Sequence, residues 1–171
     1  SQTSSSGDMR IRTAAAGSAG ASGTLSLTTG DSSTGASGAV NVTTGSASGS
    51  GSAGGITLTV GATTGESPGG SVKIVAGDAT TASGGAVQIA SGRSIAGNSG
   101  NVSIHTARGG SQGESGGITL STGQTTGGAS GSVAITSGRA RGGNAGGIVV
   151  QSGTAQNGRG GVISMEAGSG T

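Results

Sequence analysis

Few residues in this chain can do chemistry, and their spacing narrows the choice further. His105 is the only histidine and cysteine is absent, so a metal ion would find neither a second imidazole nor a thiolate. His105 falls at an outward position, where it reads as an exposed filler residue. The six carboxylates (Asp8, Asp31, Glu66, Asp78, Glu114 and Glu166) occupy unrelated positions, so no pair is set up for acid–base work. No Asp recurs at a fixed interval, as a calcium-binding glycine-rich solenoid would require. Gly49, Gly51 and Gly54 match Gly-x-Gly-x-x-Gly, but a chain with 42 glycines in 171 residues produces such matches by chance. No nucleophile stands beside a base, and the expectation is a protein that is not an enzyme and needs no cofactor.

What remains is surface chemistry. Asn41-Val42-Thr43 and Asn101-Val102-Ser103 are acceptor sequences for N-linked glycans, and both asparagines fall at outward positions. With five asparagines and abundant Ser and Thr, one or two such sequences also arise by chance, and the hydroxyls offer O-linked attachment as well. Arg93, Arg108 and Arg139 share one turn position, with Gln124 in the same place between them. They read either as solvated turns that discourage sideways aggregation or as a basic contact ridge for an anionic polysaccharide, a mineral surface or a neighbouring filament. Thr28, Thr43 and Thr59 form a short outward row suited to an ice or other regular surface, which Lys73, Gln88 and His105 then interrupt.

The balance of charge is slight. The net charge is +2, with residues 1–87 at −1 and residues 88–171 at +3. Nucleic-acid binding would want a much stronger basic surface. No apolar run approaches the length of a membrane span and no signal peptide is recognisable. The absence of cysteine does not choose a compartment.

The elements that must position these residues follow one pattern. Gly, any residue, an aliphatic, any residue, an aliphatic recurs eleven times, with pairs Met9/Ile11, Leu25/Leu27, Val40/Val42, Ile56/Leu58, Val72/Ile74, Val87/Ile89, Val102/Ile104, Ile118/Leu120, Val133/Ile135, Ile148/Val150 and Ile163/Met165. The starts are 15 or 16 residues apart. Bulk composition resembles that of disordered Gly/Ser linkers, but the aliphatics are locked in register and suited to strands. The pattern predicts short strands whose first, third and fifth side chains point inward, with glycine at both ends for a positive φ or a close backbone approach.

The expected fold is therefore all-β: a single thin parallel β-solenoid of about eleven coils of 15–16 residues, continuous over residues 1–171. A polyproline II bundle is the rival, but it needs glycine at every third position. Residues from Ile11 align with those from Ile104, so six coils form a super-repeat of about 93 residues. Aliphatic burial alone is too small for such a fold, which would have to rest on backbone ladders and stacking between coils. The chain starts and stops within coil-like sequence without a visible cap, as a segment of a longer repeat protein would.

Gly-Gly-Ser-Val-Lys-Ile-Val-Ala-Gly (69–77), Ser-Gly-Gly-Ala-Val-Gln-Ile-Ala-Ser-Gly (83–92) and Gly-Asn-Ser-Gly-Asn-Val-Ser-Ile-His-Thr-Ala (97–107) carry a resemblance. Across essentially its whole length the chain resembles the Gly/Ser/Thr-rich repeat tracts of large secreted or cell-surface structural proteins of diatoms and related heterokont algae. Algal-virus and phage fibre proteins carry similar tracts. The resemblance implies an extracellular structural role and supplies no catalytic residues. The function expected is a rigid, hydroxyl-rich extracellular filament or surface fibre that self-associates end to end or laterally. The alternatives are a binding module (ice binder, adhesin or polysaccharide-binding stalk) and a viral or phage fibre segment.

Overall fold

The computed structural model describes residues 5–169, and among them there is no helix and no strand. The thin parallel β-solenoid expected from the aliphatic beat is not formed, and neither is any other repeat fold. In a solenoid each aliphatic segment would lie about 4.8 Å from its equivalents in neighbouring coils. Here approaches between positions twelve or more residues apart are sparse, and no segment pairs with another.

Exposure agrees. The accessible surface is 17149 Å² for 15.4 kDa, whereas a folded monomer of that mass would show about 7,000 Å² and a fully unfolded chain roughly 22,000 Å². No side chain among the described residues is buried, and the large aliphatics run from 41% exposed at Val60 to 93% at Ile95. The physical reason lies in the repeat itself. Each unit brings two aliphatics and sets them among Gly, Ser, Thr and Ala, so stacking units would remove little apolar surface from water. Ordering its backbone would meanwhile forfeit the large conformational freedom of glycine. Burial does not outweigh that entropy, and the ladder does not assemble.

The periodicity survives as local loops. Bends or turns recur at 18–20, 33–35, 49–50, 65–67, 80–82, 95–97, 111–113, 126–128, 141–143 and 156–158, one between each aliphatic pair and the next. After each bend the chain comes back on itself at one residue, the glycine two places before the next aliphatic pair.

In the unit Ser1–Val87, a Cβ placed on Gly23, Gly38 or Gly54 would stand 3.6, 3.4 and 3.8 Å from the side chains of Thr13, Thr29 and Thr44. On Gly70 it would strike Val60 Cγ1 at 2.7 Å, and on Gly85 it would meet Gly77 N at 3.2 Å and Ala76 Cβ at 3.3 Å. The unit Gln88–Thr171 repeats the arrangement. A Cβ added on Gly100, Gly116, Gly131, Gly146 or Gly161 would stand 3.4, 3.5, 3.4, 3.9 and 3.3 Å from the side chains of Ser91, Thr106, Thr122, Ser137 and Ser152. Three closures carry a backbone hydrogen bond of 2.9 Å, from the N–H of Gly85, Gly100 and Gly161 to the carbonyls of Gly77, Gly92 and Gly153. Two of the three half-buried residues among those described, Ala76 and Ser152, lie at these closures. The result is a series of surface loops whose ends meet.

Loop length explains the alternation of 15 and 16. The extra residue falls inside the loop, and three of the four longer loops use it to make a turn. The Gly20 N–H donates to Gly17 O at 3.4 Å and the Gly113 N–H to Gly110 O at 3.2 Å. In the third, Gly49 supplies the one positive φ among the described residues, +76°. The fourth longer loop holds Pro68, whose carbonyl accepts from Thr63 Oγ1 at 3.5 Å. Three shorter loops are capped by a hydroxyl instead. Ser32 Oγ accepts from the Gly35 N–H at 3.0 Å, Ser94 Oγ from Gly97 at 2.8 Å, and Thr125 Oγ1 from Gly127 at 3.4 Å and Gly128 at 3.0 Å. These are local side chain–backbone bonds of the kind that compete with regular structure. The 93-residue cycle persists in them: Gly17–Gly20 corresponds to Gly110–Gly113, and Ser32 to Thr125.

Gly109, the third half-buried residue, tests how local this order is. A Cβ on it would lie 2.7 Å from both Gly113 O and the Glu114 carbonyl carbon, so the backbone itself must move. Gly109→Ala is expected to shift the amide resonances of residues 106–116 and leave the other loops unchanged. Shifts spreading into several loops would reveal stacking that the structure does not contain.

Candidate functional site

The two glycan acceptors stand differently in the local structure. Asn101 directly follows Gly100, whose N–H closes its loop on Gly92 O at 2.9 Å. Asn41 lies inside an aliphatic segment between Val40 and Val42, beyond the loop that Gly38 closes against Thr29. There the Thr29 hydroxyl also donates to Gly38 O at 3.2 Å. Both asparagines are exposed, as are the hydroxyl residues Thr43 and Ser103 that complete the acceptor sequences. Ser103 Oγ stands 3.4 Å from Nδ1 of His105, a contact between neighbouring side chains at the long end of hydrogen bonding.

Arg93, Arg108 and Arg139 are exposed, and each follows its own aliphatic segment. Their stacking at strand spacing was a consequence of the solenoid and falls with it. They remain as separate cations without an ion pair among the described residues. The one ion pair there joins Asp8 and Arg10 at 3.7 Å, with both side chains more than four-fifths exposed. At such exposure an ion pair adds little. Thr28, Thr43 and Thr59 are likewise exposed and lie in three separate segments that no sheet holds in a common plane.

Nothing converges on a reaction centre. Among the described residues no three His, Cys, Asp or Glu side chains could share a metal ion, and no pocket is present. Of Gly49, Gly51 and Gly54, the first and last owe their glycines to other needs than a phosphate. Gly49 makes a turn at positive φ and Gly54 closes a loop against Thr44. No helix among the described residues is long and apolar enough to cross a membrane.

The hydroxyl caps Ser32, Ser94 and Thr125 are functional elements of the loops that pattern reading missed. Their signal was available: Ser or Thr three residues after the end of the aliphatic segment and three before a glycine.

No family model, curated protein or solved structure matches the chain. The resemblance to algal structural repeat tracts does not carry over, because the solenoid it implied is missing. With it go the rigid rod, filament and fibril roles. The ice-binding, adhesin, stalk and fibre alternatives go too, since each needs an ordered face and no strand among the described residues forms one.

An open chain should be cut wherever its sequence permits. Trypsin under native conditions is expected to cleave after Arg10, Arg12, Lys73, Arg93, Arg108, Arg139, Arg141 and Arg159 without a resistant core. Moderate urea should alter those rates by less than about an order of magnitude, because no global unfolding step precedes cleavage. A long-lived resistant fragment, released only by denaturant, would contradict the open structure.

Proposed function

We propose that the chain is a non-catalytic, extracellular or cell-surface display segment, working while open. In this reading Asn41 and Asn101 carry N-linked glycans, and the arginines of residues 88–171 make weak, multivalent contact with anionic polysaccharide or a mineral surface. The observation that carries it is the exposure of both acceptor asparagines together with Arg93, Arg108, Arg139, Arg141 and Arg159, with no buried side chain among the described residues. Five arginines against Glu114 and Glu166 give this part of the chain its excess of +3. An uncompensated, spread charge suits a polymeric anion better than a compact ligand. The lone His105 and the absence of cysteine support a role without catalysis.

Secretion from a glycosylation-competent cell tests the first half. Intact mass should exceed the 15.4 kDa polypeptide, and Asn41→Gln and Asn101→Gln should each remove one glycan. A secreted chain at the bare polypeptide mass would overturn it. For the second half, retention on an anionic polysaccharide should weaken steeply with salt and on replacing the five arginines by Gln. Retention indifferent to both would count against it.

Self-association is a second reading, favoured by a separate observation. The aliphatic segments expose apolar side chains and a backbone that pairs with no other segment. They also carry few charges to repel a second copy. Sedimentation is expected to rise with protein concentration, and Val72→Lys with Ile74→Lys should diminish the rise. A monomer over the whole soluble range would dismiss this reading.

A further inference from the structure

The six shorter loops share one length; three have a hydroxyl at one position and three have alanine there (Ala79, Ala140 and Ala155), and of these only the last sets an asparagine before a glycine at the bend. In three of them a hydroxyl three residues beyond the loop's start holds the N–H of a glycine at the bend: Ser32 for Gly35, Ser94 for Gly97 and Thr125 for Gly128. In the loop closed by Ser152 and Gly161, the equivalent positions are Ala155 and Gly158. Ala155 has no hydroxyl, and only its Cβ comes near Gly158, 3.9 Å from where a Cβ there would lie. Among the described residues no hydrogen bond engages the Gly158 N–H or the Asn157 side-chain amide.

The residue before that free N–H is an asparagine, and it is the only asparagine in the chain followed by glycine. Asn41, Asn98, Asn101 and Asn144 precede Val42, Ser99, Val102 and Ala145. A side chain on the following residue hinders approach of its nitrogen to the asparagine amide, and glycine removes that hindrance while widening the accessible φ and ψ. Asn157 and Gly158 are exposed and lie in the bend at 156–158, so water reaches both.

We infer that Asn157 is a site of spontaneous deamidation, made reactive by the missing hydroxyl cap at Ala155. The Gly158 nitrogen loses its proton to solvent base and attacks Cγ of Asn157. A bond forms between that nitrogen and Cγ, the Cγ–Nδ2 bond breaks, and Nδ2 takes up a proton to leave as ammonia. The five-membered imide is then opened by water. Cleavage between Cγ and nitrogen gives Asp, and cleavage between the main-chain carbonyl carbon and nitrogen gives isoaspartate. No oxidant or reductant takes part. Either product places a carboxylate two residues from Arg159 and lowers the excess charge of residues 88–171 from +3 to +2. Isoaspartate also adds one carbon to the backbone path of a loop closed by the 2.9 Å bond between the Gly161 N–H and Gly153 O.

The test is incubation of the full chain in mildly alkaline buffer, followed by peptide mass spectrometry with fragmentation that separates Asp from isoaspartate. The expected result is a gain of one mass unit confined to Asn157, abolished by Asn157→Gln and strongly slowed by Gly158→Val. The structural part has its own readout. Ala155→Ser supplies the cap found at Ser32, Ser94 and Thr125 and should slow the conversion several-fold, whereas Ala155→Val should not. Equal rates in the wild-type chain and Ala155→Ser would overturn the role of the missing cap. No mass gain at Asn157, or equal gains at Asn98 and Asn144, would overturn the site itself.

Discussion

Every ordered feature of this chain depends on one close approach. The glycine two residues before an aliphatic pair lies against the residue that ended the preceding segment, and a side chain there would sit 2.7–3.9 Å from it. None of these glycines adopts positive φ, and the constraint is steric at Gly70, Gly85 and Gly161, where a Cβ would come within 2.7–3.3 Å of opposing atoms, while at the other closures it would make ordinary contact at 3.4–3.9 Å. In three loops the approach brings an N–H onto a carbonyl at 2.9 Å. Apart from Gly109, whose Cβ would strike backbone at 2.7 Å, glycines elsewhere in the repeat carry no such tight demand. Gly30, Gly45, Gly92 and Gly123, which follow the segments, would have open space around an added Cβ.

Closing each loop on itself has a consequence for everything outside the loop. A residue that meets a partner nine or ten positions away satisfies its contact within one repeat and leaves nothing to bind the next. The aliphatic pairs then have no opposing layer, and Leu27, Ile74 and Ile104 remain mostly in water. Such a chain opens locally at little cost. Its side chains are therefore available to enzymes, polymers and solvent without a conformational change, which is the property a glycan-bearing or charge-displaying segment needs.

The register was legible in the sequence and the fold was not. Gly85 and Ala76, or Gly161 and Ser152, stand at positions that periodicity marks out, and their closeness fits the small residues found there. The step that failed was the move from a repeated segment to a repeated strand. Alternating β-branched residues such as Val87 and Ile89 fit a pleated surface only when neighbours cover it, and no neighbour does. Glycan acceptors Asn41 and Asn101 were readable as exposed because almost any position in this composition is exposed. The arginine ridge was not readable, since its spacing belonged to the absent ladder rather than to Arg93, Arg108 and Arg139 themselves.

Imperfections in the repeat then matter more than its consensus. Where a loop gains a residue, three times in four it makes a turn, as at Gly110–Gly113; where it keeps the shorter length, a hydroxyl at one position decides whether a backbone N–H is held. Ser94 and Ala155 are equivalent in sequence, and both are small enough for the loop. They differ by a single oxygen. In a folded core that oxygen would be judged by whether it was buried unsatisfied. In an open chain its effect is kinetic, because a held N–H is a poor nucleophile and a free one beside an asparagine is a competent one. Loop by loop, reactivity is set by these local bonds, and the six-repeat cycle that carries Ser32 into Thr125 distributes them along the chain.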